Sequence, residues 1–449
     1  MSEATLATSQ PAVADPLDQL IALAALSPER CPAEALALAR VSLLDWLICG
    51  IAGAGEPVAA RMRAFAAAEQ GGGAVASVFG GGRVPARMAA MVNGTISHAL
   101  DYDDTHFDHV GHLSVGIYPA ALAMAEAQDE SAAALAAAFL VGAESAIRIG
   151  RVLGVAHYNR GFHQTATAGA FGATVAAGRL ARLEAAQMRV ALSLCATRAS
   201  GLKSQFGTMG KPLNAGIAAS NGVEAAQLAG LGLSAADDGI FGQQGFVETH
   251  ADAPGRFLGG LSEMRFMDNR YKFHACCHGL HAMIEGLRGI AGRIDIAQVE
   301  RLQVRTNPRW LRVCDLKAPR TGLEVKFSYA WLAGMVLRGL ETGDGGLYTD
   351  ALAGDAELAA FACRVEVTGD AALGDQQGAG TLILRDGTRI GYTHDLAAPV
   401  PPGELMQRVA EKARTVLGAG AAPLLALAER IEADPQNVPA REIGALIRA

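Results

Sequence analysis

The chain runs to 449 residues with a net charge of −7, 51% apolar residues and only 18% charged ones. That length exceeds what a single small core organises, so two domains are expected. Dispersed basic residues on an acidic chain exclude nucleic acid as a partner, and no apolar run is expected to reach membrane-spanning length, since the best one, 115–140, is cut by Glu126, Asp129 and Glu130.

Residues 1–16 hold no basic residue and no apolar stretch, so they read as a disordered arm rather than a secretion signal, and the protein as soluble and cytoplasmic. From Leu17 to about residue 264 the apolar period is helical. Leu17, Leu20, Ile21, Leu23 and Ala24 open an amphipathic pattern, and Pro32-Ala33-Glu34 starts a second helix with proline in its first turn. Further helices are predicted over 88–98, 118–126, 132–151, 165–183, 184–200 and 216–231, studded with alanine and glycine, with no strand pattern between them. After about residue 265 the character is α+β. Segments 299–307 and 363–367 alternate like strands, 381–392 is a hairpin with Asp386-Gly387 at its turn, and helices fall over 277–293 and 327–340. Pro399, Pro401 and Pro402 mark a linker, and 403–418 resumes a helix. The expected fold is mainly α: a large all-helical bundle domain over 17–264, a smaller α+β lid domain over 265–399, and C-terminal helices over 400–449 that return to the bundle.

Chemistry-bearing residues concentrate in 98–119, HALDYDDTHFDHVGHLSVGIYP, which holds Asp101, Asp103, Asp104 and Asp108 with His98, His106, His109 and His112. Asp101 and Thr105, four apart, would share a helical face one turn after His98. Gly111 would end that helix and let His112 fold back. A solvated loop and a metal site of Asp and His ligands are the alternatives.

Three further constellations follow. Gly161-Phe162-His163-Gln164-Thr165 precedes a small-residue helix, whose N-terminus lowers the pKa of His163 and favours the neutral form, while a bound anion or Asp101 raises it, so titration near neutrality is expected. The alternative is a capping or core histidine. Lys211 follows Gly207 and Gly210, with a helix expected from about Asn214, a setting for a carboxylate or phosphate. In 271–281, YKFHACCHGLH, Lys272 lies beside Cys276, Cys277, His278 and His281, which read either as zinc ligands or as a buried helix start. The seven scattered cysteines point to reduced thiols.

Taken in series, HALDYDDTH with His112-Leu113-Ser114, GFHQTATAGAFGA, GKPLNAGIAASNG, and KFHACCHGLHAMIEG with Glu324-Val325-Lys326-Phe327-Ser328 resemble the MmgE/PrpD family from about Leu17 to the end of the chain. The family includes 2-methylcitrate dehydratase, cis-aconitate decarboxylase and iminodisuccinate epimerase. The resemblance implies a homodimer without metal or organic cofactor, and active-site positions at Asp101, Thr105, His112, His163, Lys211 and Lys272. Three residues depart from the family's usual pattern: Leu113 replaces a proline, Asn214 a histidine, and Cys277 the histidine that cis-aconitate decarboxylases carry.

The function this implies is a cofactor-independent lyase acting on a small anionic polycarboxylate, in the first place a 2-methylcitrate dehydratase-like hydro-lyase. Lys211 and Lys272 would hold carboxylates, His163 and His112 would serve as base and acid, and Asp101 would orient a histidine or bound group. An epimerase or racemase of an imino- or amino-dicarboxylate is the alternative. A metal-dependent hydrolase using Asp103, Asp104 and the histidines, and a non-catalytic anion-binding protein, represent other classes.

Overall fold

Small residues decide how the helices meet. The computed structural model describes residues 15–69, 73–255, 257, 263–292 and 294–449, and within them the chain is mainly helical. Helices Ala86–Ser97 and Gly210–Gly230 cross where a methyl on Gly94 would lie 2.8 Å from the Gly216 Cα. Ala132–Arg160 and Gln164–Leu180 cross where a Cβ on Gly142 or Gly172 would sit 2.6 Å from the other's carbonyl oxygen. No larger residue fits such contacts, so these glycines set the interhelical distances and the places of the helix ends. Those ends carry His98, His163 and Lys211.

Apolar side chains gather in two cores. The larger runs from Leu17 to Tyr271 and takes in Leu405, Val409, Leu424 and Ile443 from the C-terminal helices. Tyr118 stacks on Phe139 at 3.7 Å and on Trp46 at 5.6 Å at its centre. The second core is built from residues 275–392, with Leu280, Ile284, Leu302, Trp331 and Phe361 fully or nearly buried. Two residues from the first half, Cys49 and Tyr102, belong to it.

Ala76–Ser77 (β1) and Arg83–Val84 (β2) form a short antiparallel pair in the half expected to hold no strand. The second core covers one face of a sheet ordered β4-β3-β5-β6. It comprises Val299–Thr306 (β3), Val365–Gly369 (β4), Gln377–Leu384 (β5) and Arg389–Asp395 (β6), with β3 and β4 parallel and the other pairs antiparallel. Leu302, Val304 and Thr306 point inward from β3, while Arg301, Gln303 and Arg305 point out. The turn between β5 and β6 needs a left-handed residue, supplied by Gly387 at φ 85°, and Asp386 Oδ1 accepts from the Thr388 N–H at 2.9 Å.

Several helix bounds differ from expectation. The helix predicted over 118–126 starts at Ser114 and keeps Pro119 inside it, and that predicted over 132–151 continues to Arg160 through a break at Gly154. The one predicted over 216–231 begins at Gly210, which puts Lys211 in its first turn. Segment 98–112 is not a helix. Asp101 is left-handed at φ 52°, and Thr105 exchanges two backbone hydrogen bonds of 2.8 Å with Arg270, so Asp101 and Thr105 share no helical face. Among the described residues two helices, Ala33–Gly53 and Ala132–Arg160, are long and apolar enough to cross a membrane, against the expectation of no such run, but both are mostly buried. Residues 1–14 of the expected arm lie outside the described residues. Asp15 and Pro16 are ordered: Asp15 Oδ1 accepts from the Leu17 N–H at 2.8 Å and Pro16 opens the first helix.

Candidate active site

The irregular path of 98–112 makes successive side chains diverge. Asp101 and Asp103 face His112, whereas Tyr102 enters the second core and Asp104 turns into the first. Asp104 accepts from the Ser114 hydroxyl at 2.6 Å and the Asn269 amide at 2.7 Å. Burial nevertheless pushes its carboxyl up.

Asp103 is fully buried between two imidazoles. Its Oδ1 lies 2.9 Å from His98 Nδ1 and its Oδ2 lies 2.8 Å from His112 Nδ1. The second contact is short but poorly aligned, leaving both of its atoms without a hydrogen-bond partner. A carboxylate only accepts, so His98 carries its proton on Nδ1 and leaves Nε2 free in the neutral ring, whereas His112 stands between two carboxylates, with the shorter approach at Nδ1. Burial opposes ionisation of Asp103, but His112 and His98 hold its carboxyl well below the ordinary range. Burial pushes His112 down to about 4, with Asp103 opposing.

His163 caps the helix Gln164–Leu180 and has the opposite tautomer. Asn214 donates one amide proton to the Leu202 carbonyl at 3.2 Å, which fixes the amide's orientation, and the other to His163 Nδ1 at 3.1 Å. Neutral His163 therefore carries its proton on Nε2. Burial first, then His98 and His112, hold its pKa well below the ordinary value. The direction agrees with expectation, but burial is the main cause and the group titrates well below neutrality rather than near it. The His98 ring lies between the other two, 4.6 Å from His112 and 6.1 Å from His163 by ring centroids.

Two ammonium groups meet at Asp101. Lys211 Nζ lies 2.6 Å from Oδ2, and Lys272 Nζ lies 3.1 Å from Oδ1 and 2.7 Å from the main-chain carbonyl. His112 Nε2 is 3.5 Å from Oδ1. Half of the Asp101 side-chain surface (50%) is open, so the space above it is a cleft that solvent or an anion can reach. Burial raises its carboxyl pKa, but Lys211 and then Lys272 outweigh that and hold it well below the usual range. Lys272 is raised in turn, Asp101 outweighing burial.

Of the six positions singled out from sequence, Asp101, His112, Lys211 and Lys272 thus form one ion-paired cluster, and His163 stands one ring beyond it. Thr105 turns elsewhere, its hydroxyl 2.9 Å from His278 Nδ1. Sequence reasoning gave His98, Asp103 and His278 only the alternative metal readings and Asn214 only a departure from a pattern, although Asp103 is two residues from Asp101 and Asn214 is one turn after Lys211 in their helix. Cys277 is near the same cluster. The Cys314 thiol lowers its pKa first, burial opposes, and Gly279 N–H and Lys272 help hold it below the ordinary thiol value.

Among the described residues one group brings three or more metal-ligating side chains together: donor atoms of His98, Asp101, Asp103 and His112 lie within 4.8 Å of one another. Lys211 and Lys272 each place an ammonium on Asp101, so a cation bound there would have to displace both. The group consists of Asp and His residues of the segment for which sequence left a metal site open, without Asp104, which points away, while His278 and His281 bond Thr105 and the Cys276 carbonyl, so the zinc reading of 271–281 is not assembled.

A family model described as the MmgE/PrpD N-terminal domain matches residues 22–256, and one described as the MmgE/PrpD C-terminal domain matches 274–418. Among known proteins, cis-aconitate decarboxylase of Aspergillus terreus is 29% identical over 286 residues, 60% of this chain and 58% of the relative. The Homo sapiens protein of the same name is 32% identical over 193 residues, 41% of this chain and 39% of the relative. That of Mus musculus is 33% identical over 162 residues, 34% and 32% of the two chains. The chain thus spans less than two thirds of the length of these relatives.

Proposed function

The chain belongs to the MmgE/PrpD family, and on that premise we propose that it is a lyase that moves a proton next to a carboxylate of a small polycarboxylate, without a cofactor, as a 2-methylcitrate dehydratase-like hydro-lyase. The observation that carries this reading is the carboxylate of Asp101 held between Lys211 and Lys272, a carboxylate position walled by histidines of opposite tautomer. A substrate carboxylate takes over the two ammonium groups. His112, with Nε2 unprotonated, removes a proton from the adjacent carbon, and charge developing on the carboxylate is stabilised by the lysines. The electron pair of the broken C–H bond forms the double bond. The departing hydroxyl takes the Nε2 proton of His163 and leaves as water, and the proton gained by His112 passes back to His163, which returns both rings to the neutral form. These roles reverse the sequence-based assignment of His163 as base and His112 as acid.

In this reading residues 265–399 act as a lid that brings Lys272 and His278 over the cleft and excludes water. The bundle of 17–264 and 400–449 supplies the histidines and Lys211. The homodimer and the cytoplasmic location belong to the same reading and rest on the family resemblance and the composition.

Decarboxylation of an unsaturated tricarboxylate is the second reading, favoured by the name of the relatives and opposed by Cys277, which stands where that activity's histidine is expected. Proton NMR of 2-methylcitrate, cis-aconitate and iminodisuccinate in D₂O separates the readings. Loss of the hydroxyl-bearing substrate to an alkene supports dehydration, carbon dioxide release supports decarboxylation, and exchange alone supports epimerisation. No change in any of them, or turnover that depends on stoichiometric zinc or iron, would sink the proposal.

A further inference from the structure

The helix Pro402–Leu417 lies between the two cores, and Val416 on it packs against both. Arg408 and Lys412 are four residues apart on it and so share a face. Arg408 stacks on Phe273 at 4.0 Å and bonds Glu285 of the helix His281–Ala291. Lys412 points inward and is 4% exposed. Its ammonium lies 2.7 Å from Asp45 Oδ1, 2.7 Å from the Tyr102 main-chain oxygen, and 3.9 Å from the centre of the Tyr102 ring. The Tyr102 hydroxyl donates to the Gly343 carbonyl at 3.2 Å, so the residue is pinned at carbonyl, ring and hydroxyl.

Tyr102 is the residue between Asp101 and Asp103. As a device for stability alone the Lys412–Asp45 pair is poorly built. It is fully buried, Asp45 Oδ2 has no partner, and burial pushes the Asp45 carboxyl up to about 6 against the pull of Lys412. Apolar residues of similar volume often replace such pairs without loss. What they cannot supply is a donor for the Tyr102 carbonyl.

We propose that Lys412 is a positioning residue: by holding the Tyr102 carbonyl it fixes the peptide from which Asp101 and Asp103 diverge. It thereby sets the carboxylate that meets Lys211 and Lys272 relative to the carboxylate that orients His98 and His112. Through Arg408 the same helix references the second core to that peptide. The inference rests on the reading of the cleft given above.

The double variant removes the pair without leaving a buried charge. Asp45→Asn alone keeps Lys412 on the carbonyl, and kcat is expected within about threefold of the parent. Asp45→Asn with Lys412→Met is expected to lower kcat by roughly 30-fold or more, with KM changed less than about threefold, as misplacement of reacting groups does. Amide exchange over 100–105, read without substrate, is expected to rise about tenfold or more in the double variant only. Parent-like kcat in a folded double variant, an equal loss in Asp45→Asn, or unchanged exchange each overturns the positioning role. If the Met variant does not fold, Asp45→Asn with Lys412→Gln, which still offers an N–H, carries the test. Its kcat is expected within about fivefold of Asp45→Asn, and a 30-fold loss in a folded Gln variant overturns the proposal. Raised exchange in the double variant, with no acid turned over by the parent, supports the positioning and sinks only the functional reading.

Discussion

The proton on His163 can be moved by one isosteric change. Asn214→Asp replaces the amide N–H that meets Nδ1 at 3.1 Å with an oxygen that only accepts. The ring then donates from Nδ1, and Nε2 loses the proton that the proposed mechanism delivers. Position 214 is 4% exposed, so water does not take the place of that contact. Loss of a positioned acid costs about 10²–10⁴ in rate, or about 2.7–5.4 kcal/mol in the barrier. A tautomer forced the wrong way in a serine protease triad reaches the upper end of that range. Steady-state kinetics should give the fall in kcat with a smaller change in KM. Nitrogen NMR of labelled histidine should report Nδ1 protonated in the variant and Nε2 in the parent. Parent-like kcat with the proton shown to have moved would refute the assignment of His163 as the acid.

Lys211→Met and Lys272→Met should each raise KM about tenfold or more, since both ammonium groups serve ground and transition states alike; unchanged KM in both would remove them from the site. His112→Asn should lower kcat by about 10²–10⁴ with little change in KM, and solvent deuterium exchange at the substrate carbon should fall with it. The acid limb of kcat/KM, which reports the free enzyme, should lie near pH 4, where burial has pushed His112, and a limb near neutrality would contradict that environment. Burial holds His109 and His278 at about 3 and His112 at about 4, below an unfolded value of 6.5. Their contribution to stability is therefore complete above pH 6.5 and is lost as pH falls towards 4. At pH 5 three extra protons on the unfolded chain correspond to a slope of up to about 4 kcal/mol per pH unit, and urea midpoints that stay flat between pH 6.5 and 4.5 would count against it.

How much was legible depended on whether a residue's partner was near in sequence. Lys211 could be found because glycines and a helix start surround it, and the β5–β6 hairpin because Asp386-Gly387 sits between alternating strands. The face proposed for Asp101 and Thr105 was wrong because Arg270, more than 160 residues away, draws Thr105 into an extended bridge and Asp101 turns left-handed. The tautomer of His163 depends on Asn214, and sequence singled out Asn214 only as a departure from a pattern, without a contact to explain it. Nothing near Lys412 hints that it meets Tyr102, which lies 310 residues earlier. Burial explains the remaining discrepancy. A helix terminus was invoked for the pKa of His163, whereas its enclosure beside two other imidazoles matters more, and enclosure is a property of the packed chain.

The left-handed turn at Asp101 has a consequence for selectivity. With the cleft empty, the chain's own carboxylate already occupies both Lys211 and Lys272. A monocarboxylate entering the cleft exchanges one such group for another and gains little beyond the relief of a backbone state that costs about 1 kcal/mol. Net affinity must then come from the ligand's other charged groups. Acids with one carboxylate are thus turned away by equivalence rather than by shape, and the threshold for entry is a second or third negative charge.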